Sequence, residues 1–389
     1  MGLFGILIAL VLLIWLAYRG WSILLLAPAA AILTAAASGE PLLAHWTQTF
    51  MGGAAGFVAQ FFPLFLLGAL FGKLMDDSGS VTAIANLMTR KLGARRAILA
   101  VVLAGAIVTY GGVSLFVAFF VLAPMAHALF KAAAIPVRLM PAAILLGTST
   151  FTMSALPGTP AVQNAIPMPF FSTTPFAAPG LGIIASAIML GFGLWWLTRA
   201  EASARRAGEG YVAPAGMAGD AADDVVVRER ATVAREFDPA EIHHGQRSPD
   251  APSALVAATP LVVVILVNLL MTLVVLPRMD TSWLAEARWG GTSMAAVGGV
   301  WSVITALLAA ITVLVALNYR RLPSLRDTMD AGVNASALPL LSVASLVGFG
   351  AVVASLPSFA VVRDWVLSIE GGPLVSLAVA TNVLAALTG

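Results

Sequence analysis

The sequence predicts an all-α polytopic membrane protein with inverted-topology repeats, re-entrant helical hairpins and broken transmembrane helices. Three observations carry that prediction. Of 389 residues, 60% are hydrophobic and 10% charged, where soluble domains carry about 25% charged residues. Several apolar runs approach or exceed the ~20 residues that cross a bilayer, and the mean hydropathy is +0.94. The third is residues 148–164, TSTFTMSALPGTPAVQN, which set hydroxyls, amides, two prolines and a glycine inside a membrane-length apolar segment. A helix cannot run unbroken through Pro157-Gly158-Thr159-Pro160, because proline lacks the amide hydrogen and clashes with the preceding turn. Such a break persists at membrane depth only where protein or a water-filled cavity satisfies the freed backbone, which is how transporter sites are built.

Taken in order, membrane segments are expected at 2–18, 21–38, 48–72, 97–130, 139–157, 176–198, 254–277, 294–318, 332–356 and 373–389. The first lacks the basic stretch of a signal peptide and is read as a retained span. Residues 97–130 are too long for one span; basic residues flank them on both sides, and TYGGVS (109–114) gives a place to reverse. A hairpin entering from the cytoplasm is expected there, with a single glycine-kinked tilted helix as the alternative. With that hairpin, eighteen Lys and Arg fall inside and only Arg278, Arg288 and Arg363 outside, which accounts for all 21. The positive-inside rule then sets the amino terminus outside a cytoplasmic (inner) membrane.

Pro63 and Pro339 each open a hydrophobic segment followed by a polar interruption, a short amphipathic piece and an apolar arm. The first interruption (73–80) falls inside and the second (357–372) outside, the pattern of an inverted repeat. Three regions follow: 1–198, holding the hairpin (97–130) and a broken helix (139–165); a flexible cytoplasmic linker, 199–253, poor in bulky apolar residues; and 254–389. Repeat arithmetic predicts a carboxy-terminally truncated second half, short by about 70–90 residues.

With no cysteine there is no disulfide and no thiolate metal site. His243-His244 lacks further ligands nearby, so neither metal nor cofactor is expected. An enzyme needs convergent His, Asp or Glu at membrane depth, and the acidic residues here sit in loops or at span edges, so no catalysis is expected. The unevenly placed basic residues give no sign of a nucleic-acid partner.

GALFGKLMDDSG (68–79), YGGVS (110–114), ALPGTPAVQN (155–164) and TTPFAAPG (173–180) resemble the gluconate permease (GntP) family of the ion-transporter superfamily. The resemblance covers 48–198 at motif level and is topological from 254 onward. It implies symport of gluconate or related hydroxycarboxylates with protons, and a homodimer by analogy. Family members often carry an acidic residue where this chain has Tyr110-Gly111-Gly112, so related hydroxy or keto acids stand beside gluconate. Sodium-coupled carboxylate transport, export or antiport within the superfamily, and a non-transport membrane subunit are the alternatives.

The candidate substrate ligands are Gly111, Gly112, Ser114, Thr159, Gln163 and Asn164: glycines admit close backbone approach, and the others hydrogen-bond carboxylates and hydroxyls. Two helix amino-termini, near Gly112-Val113-Ser114 and near Thr159-Pro160, offer partial positive charge to an anion. The alternative is that the hydroxyls only satisfy helix breaks and pack helices closely. Candidate proton carriers are His127, Asp76 and Asp77, while sodium needs only carbonyls and hydroxyls. Because the native chain has no cysteine, single cysteines placed at 95 and 131 test the hairpin directly. Both should react with impermeant reagent from one face, and labelling from opposite faces would refute it.

Overall fold

A computed structural model describes residues 2–113, 115–212, 248, 250–367 and 372–388, and those residues form helices joined by turns, with no strand among them. Ser114, the His243-His244 pair, most of the expected linker and Gly389 lie outside the described residues. The chain divides into two compact units, with boundaries after Phe62 and Ser336. Each is built by itself.

The first unit holds α1 (Gly2–Tyr18), α2 (Ile23–Ala37), the opening of α3 (Leu42–Asp77), the end of α4 (Leu325–Ser355), and two further helices, Pro357–Leu367 and Pro373–Thr388. Its core is made of small residues and a few large ones: Ala9, Ala27, Ala30 and Ala31 close on Phe50, Phe349 and Val352. Small side chains let helix backbones approach where lipid supplies no hydrophobic drive between helices. Thus a Cβ at Gly348 would lie 2.8 Å from the Phe50 carbonyl, and one at Gly53 2.8 Å from the Ala351 side chain.

The second unit continues α3 from Pro63 and adds the helices that carry the candidate motifs. These are α5 (Ser80–Leu92), α6 (Ala97–Tyr110), α7 (Leu115–Ala132), α8 (Met140–Thr148), the single turn Phe151–Ser154, α9 (Pro179–Arg206), α10 (Ala254–Leu270) and α11 (Met294–Asn318). α6 and α7 pack against each other across the glycine turn, and α8 packs against both. α6 ends at Gly111-Gly112, so 97–130 is interrupted at the glycines.

Five helices among the described residues are long and apolar enough to cross a membrane: Leu42–Asp77, Pro179–Arg206, Ala254–Arg278, Met294–Arg321 and Leu325–Ser355. A sixth forms if α5 and the run Ala94–Tyr110, bent by 98°, count as one. Ten segments were expected. The difference lies in short helices: α2, with 15 residues, rises only about 22 Å at 1.5 Å per residue, against a hydrocarbon core of about 30 Å.

Three boundaries also move. α4 begins at Leu325, not 332. α9 runs on to Arg206, eight residues into the expected linker, its last turns held by Glu201 and Arg205 at 2.7 Å in a favourable i, i+4 pair. α3 does not stop at Gly72: it continues through Lys73, Asp76 and Asp77, all buried. Lys73 Nζ donates to Asp77 Oδ1 at 2.9 Å, and Thr328 Oγ1 of α4 donates to Asp77 Oδ2 at 2.7 Å. Charge inside the protein is retained by pairing and hydrogen bonding together. A Cβ at Gly332, one turn further along α4, would lie 3.0 Å from the Leu70 Cα, so the two helices meet closely here.

Removing one partner should therefore cost far more than a surface substitution. Lys73→Met leaves a buried carboxylate unpaired and should destabilise by about 3–5 kcal/mol; Thr328→Val should cost about 1–3 kcal/mol. Thermal unfolding of the detergent-purified protein reads both. An unchanged midpoint for Lys73→Met would show that the pair is not buried as described.

Candidate functional site

The YGGV turn is a helix cap. Val113 N–H reaches the Val108 carbonyl at 3.4 Å and Gly112 N–H the Thr109 carbonyl at 3.0 Å, with Gly112 at φ +95°. That is a Schellman arrangement, which satisfies the last carbonyls of α6 and requires a left-handed residue. Gly112 is also the point of contact, since a Cβ there would lie 2.6 Å from Pro160 Cγ. The turn and the broken segment, 48 residues apart in sequence, therefore touch.

The break begins where α8 ends. Thr150 (φ −106°, ψ −109°) leaves the helix, and the hydroxyls around it serve the backbone. Thr148 donates to the Ile144 carbonyl at 2.8 Å, Thr150 to Leu146 at 2.7 Å, Thr152 to Gly147 and Thr148 at 3.1 Å each, and Ser154 to Thr150 at 2.9 Å. For these four the helix-break explanation is the one realised.

Beyond them, Pro157-Gly158-Thr159 presents three consecutive carbonyls, each met by a side-chain donor. Tyr110 Oη donates to Pro157 O at 2.7 Å, Asn268 Nδ2 to Gly158 O at 3.0 Å, and Asn164 Nδ2 to Thr159 O at 2.9 Å. Gly158 N–H closes the loop on Pro175 O at 2.7 Å, and Asn164 Nδ2 also lies 3.4 Å from that carbonyl.

The structure thus brings together Gly111, Gly112, Thr159 and Asn164. Gly111 is buried against Leu261 of α10. Thr159 is 1% exposed, its Oγ1 accepting from Ala161 N–H at 3.3 Å. Gln163 is exposed. The amide hydrogens of Asn164 are directed at the loop's own carbonyls, so its clearest part is to hold the loop. The helix after Thr159-Pro160 is a four-residue turn, Val162–Ala165. A strong dipole end was expected there, but so few aligned peptide units supply little of one.

The coupling candidates do not join this group. His127 sits on α7, twelve residues from its start, roughly 18 Å along the axis, and its Nδ1 pairs with Tyr211 Oη at 3.1 Å. Asp77 belongs to the Lys73–Thr328 cluster at the end of α3, with Asp76 beside it.

Sequence reasoning missed Tyr110 and Asn268. The tyrosine stood in plain view beside the glycines. Asn268 is one amide in an apolar run, and its partner lies 110 residues away. A separate cavity of about 470 Å³ is lined by Trp283, Leu284, Arg288, Trp289, Thr292, Val297 and Trp301. None of the predicted site residues lines it. In the loop leading to it, Ser282 holds the Asp280 carboxyl below its ordinary value through its backbone N–H, then its hydroxyl.

Comparison with known proteins agrees with the motifs. The profile described as GntP family permease matches residues 1–169. An uncharacterized transporter, YxjC of Bacillus subtilis (strain 168), is 37% identical over 396 residues, covering 100% of this chain and 80% of that protein. No solved structure matches.

Gly112→Ala introduces both a strained φ and a clash with Pro160, and should destabilise by about 1–3 kcal/mol. Gly68→Ala, where nothing lies within 4 Å, should be neutral or stabilising by up to about 1 kcal/mol. Paired unfolding measurements check this; equal effects would mean the Gly112–Pro160 contact is absent.

Proposed function

Because the chain belongs to the GntP permease family, we propose that this membrane transporter is a proton-coupled symporter of small organic anions, gluconate or related hydroxycarboxylates. The observation that carries the reading is the contact of two helix breaks, Gly112 against Pro160, each in an otherwise apolar region. Discontinuous helices that meet within a membrane are the usual frame of a transport site. The start of α7, an 18-residue helix, presents free amide hydrogens and the positive end of its dipole to an anion. Gly111 and Gly112 permit close approach, Ser114 and Thr159 supply hydroxyls, and Gln163 an amide. Tyr110 and Asn164 are assigned to holding the loop carbonyls, so that no lone pair faces the bound carboxylate.

The element order supports an inverted repeat. Pro63 lies within Leu42–Asp77, followed by Ser80–Leu92 and Ala97–Tyr110; Pro339 lies within Leu325–Ser355, followed by Pro357–Leu367 and Pro373–Thr388. In this reading α6 and α7 form a re-entrant hairpin opening to the cytoplasm of an inner membrane, with the amino terminus outside.

Concentrating an anion against an inside-negative potential costs about 2.3 kcal/mol per charge per 100 mV, so uptake needs a cation. The buried Asp76 and Asp77 are the proton carriers we favour, with His127 at the far end of the hairpin.

The test is uptake of labelled organic acids into proteoliposomes under imposed pH or sodium gradients. Hydroxycarboxylate uptake driven by inward protons is expected. Uptake driven by sodium alone would move coupling away from the carboxylates, and no uptake of any organic anion would remove the substrate class.

A further inference from the structure

We propose that Asn268 and Thr272, on the second-half helix α10 and its extension, form a subsite that receives a hydroxyl group of the transported acid. The inference rests on the substrate class proposed above and deepens it. α10 turns one face inward, with Ala257, Leu261, Val264 and Asn268 buried along it, and at Met271–Val275 it widens into a π-helical segment. Leu261 meets Gly111 of the turn and Asn268 meets Gly158 of the loop. The same face therefore lies along both breaks.

Two polar atoms on this face stand out. Asn268 is 0% exposed; its Nδ2 is committed to Gly158 O, and its Oδ1 is buried without a hydrogen-bond partner. Thr272 Oγ1, four residues on, is likewise buried and unpartnered. Native proteins rarely leave such groups unpaired, and each exception calls for an explanation. The amide orientation is fixed by chemistry, since Gly158 O accepts only and must face the NH₂ end. A single-turn π segment at that point fits, because such widenings concentrate at functional sites.

The chemistry selects the ligand group. Oδ1 only accepts, so a carboxylate is excluded from it and a donor is required. The Thr272 hydroxyl both donates and accepts, which matches a second hydroxyl on a polyhydroxy chain. The carboxylate is left to the amide hydrogens at the start of α7, and the hydroxyl-bearing carbons to α10. A site built to bond a hydroxyl rejects the analogue lacking it, because its own polar groups are then stranded.

The experiment compares gluconate with its singly deoxygenated analogues in proteoliposomes bearing the full chain. Variants are Thr272→Val, which preserves shape and leaves the Gly158 bond intact, Asn268→Leu, and Thr272→Ser as the rescue. Wild type should prefer gluconate to at least one analogue. Thr272→Val should lower gluconate kcat/KM about tenfold to hundredfold, the loss expected for one unpaired buried group, and Thr272→Ser should retain it; Asn268→Leu also removes the Gly158 bond and should lower uptake of every acid. Uptake of the disfavoured analogue by Thr272→Val should change less than about twofold. In Thr272→Val, a parallel fall for both acids or no change for either overturns the proposal. So does a sodium dependence lost in Thr272→Val, which would give the pair to a cation. Failure of wild type to take up any of these acids would instead bring down the substrate class, and this subsite with it.

Discussion

A backbone carbonyl buried away from water needs a donor from the protein, and the turn, the loop and α10 of the second unit meet where that need is answered. Breaking the chain at Pro157-Gly158-Thr159-Pro160 frees three carbonyls in a row. Their donors are a tyrosine from the glycine turn, an asparagine from the loop itself and an asparagine from the second half of the chain. Each donor fixes an element: Tyr110 sets the turn against the loop, Asn164 closes the loop, and Asn268 sets α10 across both. The same economy explains the threonines before the break, which return their hydroxyl hydrogens to the preceding turn.

Packing elsewhere answers to a related constraint. Lipid tails give helices no hydrophobic reason to associate, so contact area must come from close approach. Glycine and alanine supply it in the first unit around Phe50 and in the second where α3 meets α4 at Leu70 and Gly332. The buried Lys73–Asp77–Thr328 cluster adds directional bonds at the end of that contact. Directionality distinguishes one helix register from its neighbours in a way that apolar packing alone does not.

Much of this was legible in the residues. Adjacent glycines in an over-long apolar run announce a helix end, because one left-handed residue suffices to cap the helix, and two prolines around a glycine announce a break. What the sequence hid was partnership at a distance. Asn268 differs from its apolar neighbours by a single amide, and nothing near it in the chain names Gly158. The DD of GKLMDDSG does lie at the span edge, but the helix reaches it, five residues beyond the expected end at Gly72, because the Asp77 carboxylate is buried against Lys73 and Thr328. Helix ends at Leu325 and Arg206 were misjudged, since charged residues continue a helix as readily as apolar ones once it has left lipid. The four-residue turn after Pro160 was overestimated because Pro167 and Pro169 lie too close for a long helix to follow.

The bond between Thr328 and Asp77 spans 251 residues, and that separation orders events during biosynthesis. At about 5–20 residues per second, Asp77 leaves the ribosome tens of seconds before Thr328 exists. Lys73, four residues away on the same helix, is present throughout. The carboxylate's ion-pair partner is thus made with it, and its hydroxyl partner comes 251 residues later. The Asp77 site is therefore complete only once α4 has been synthesised.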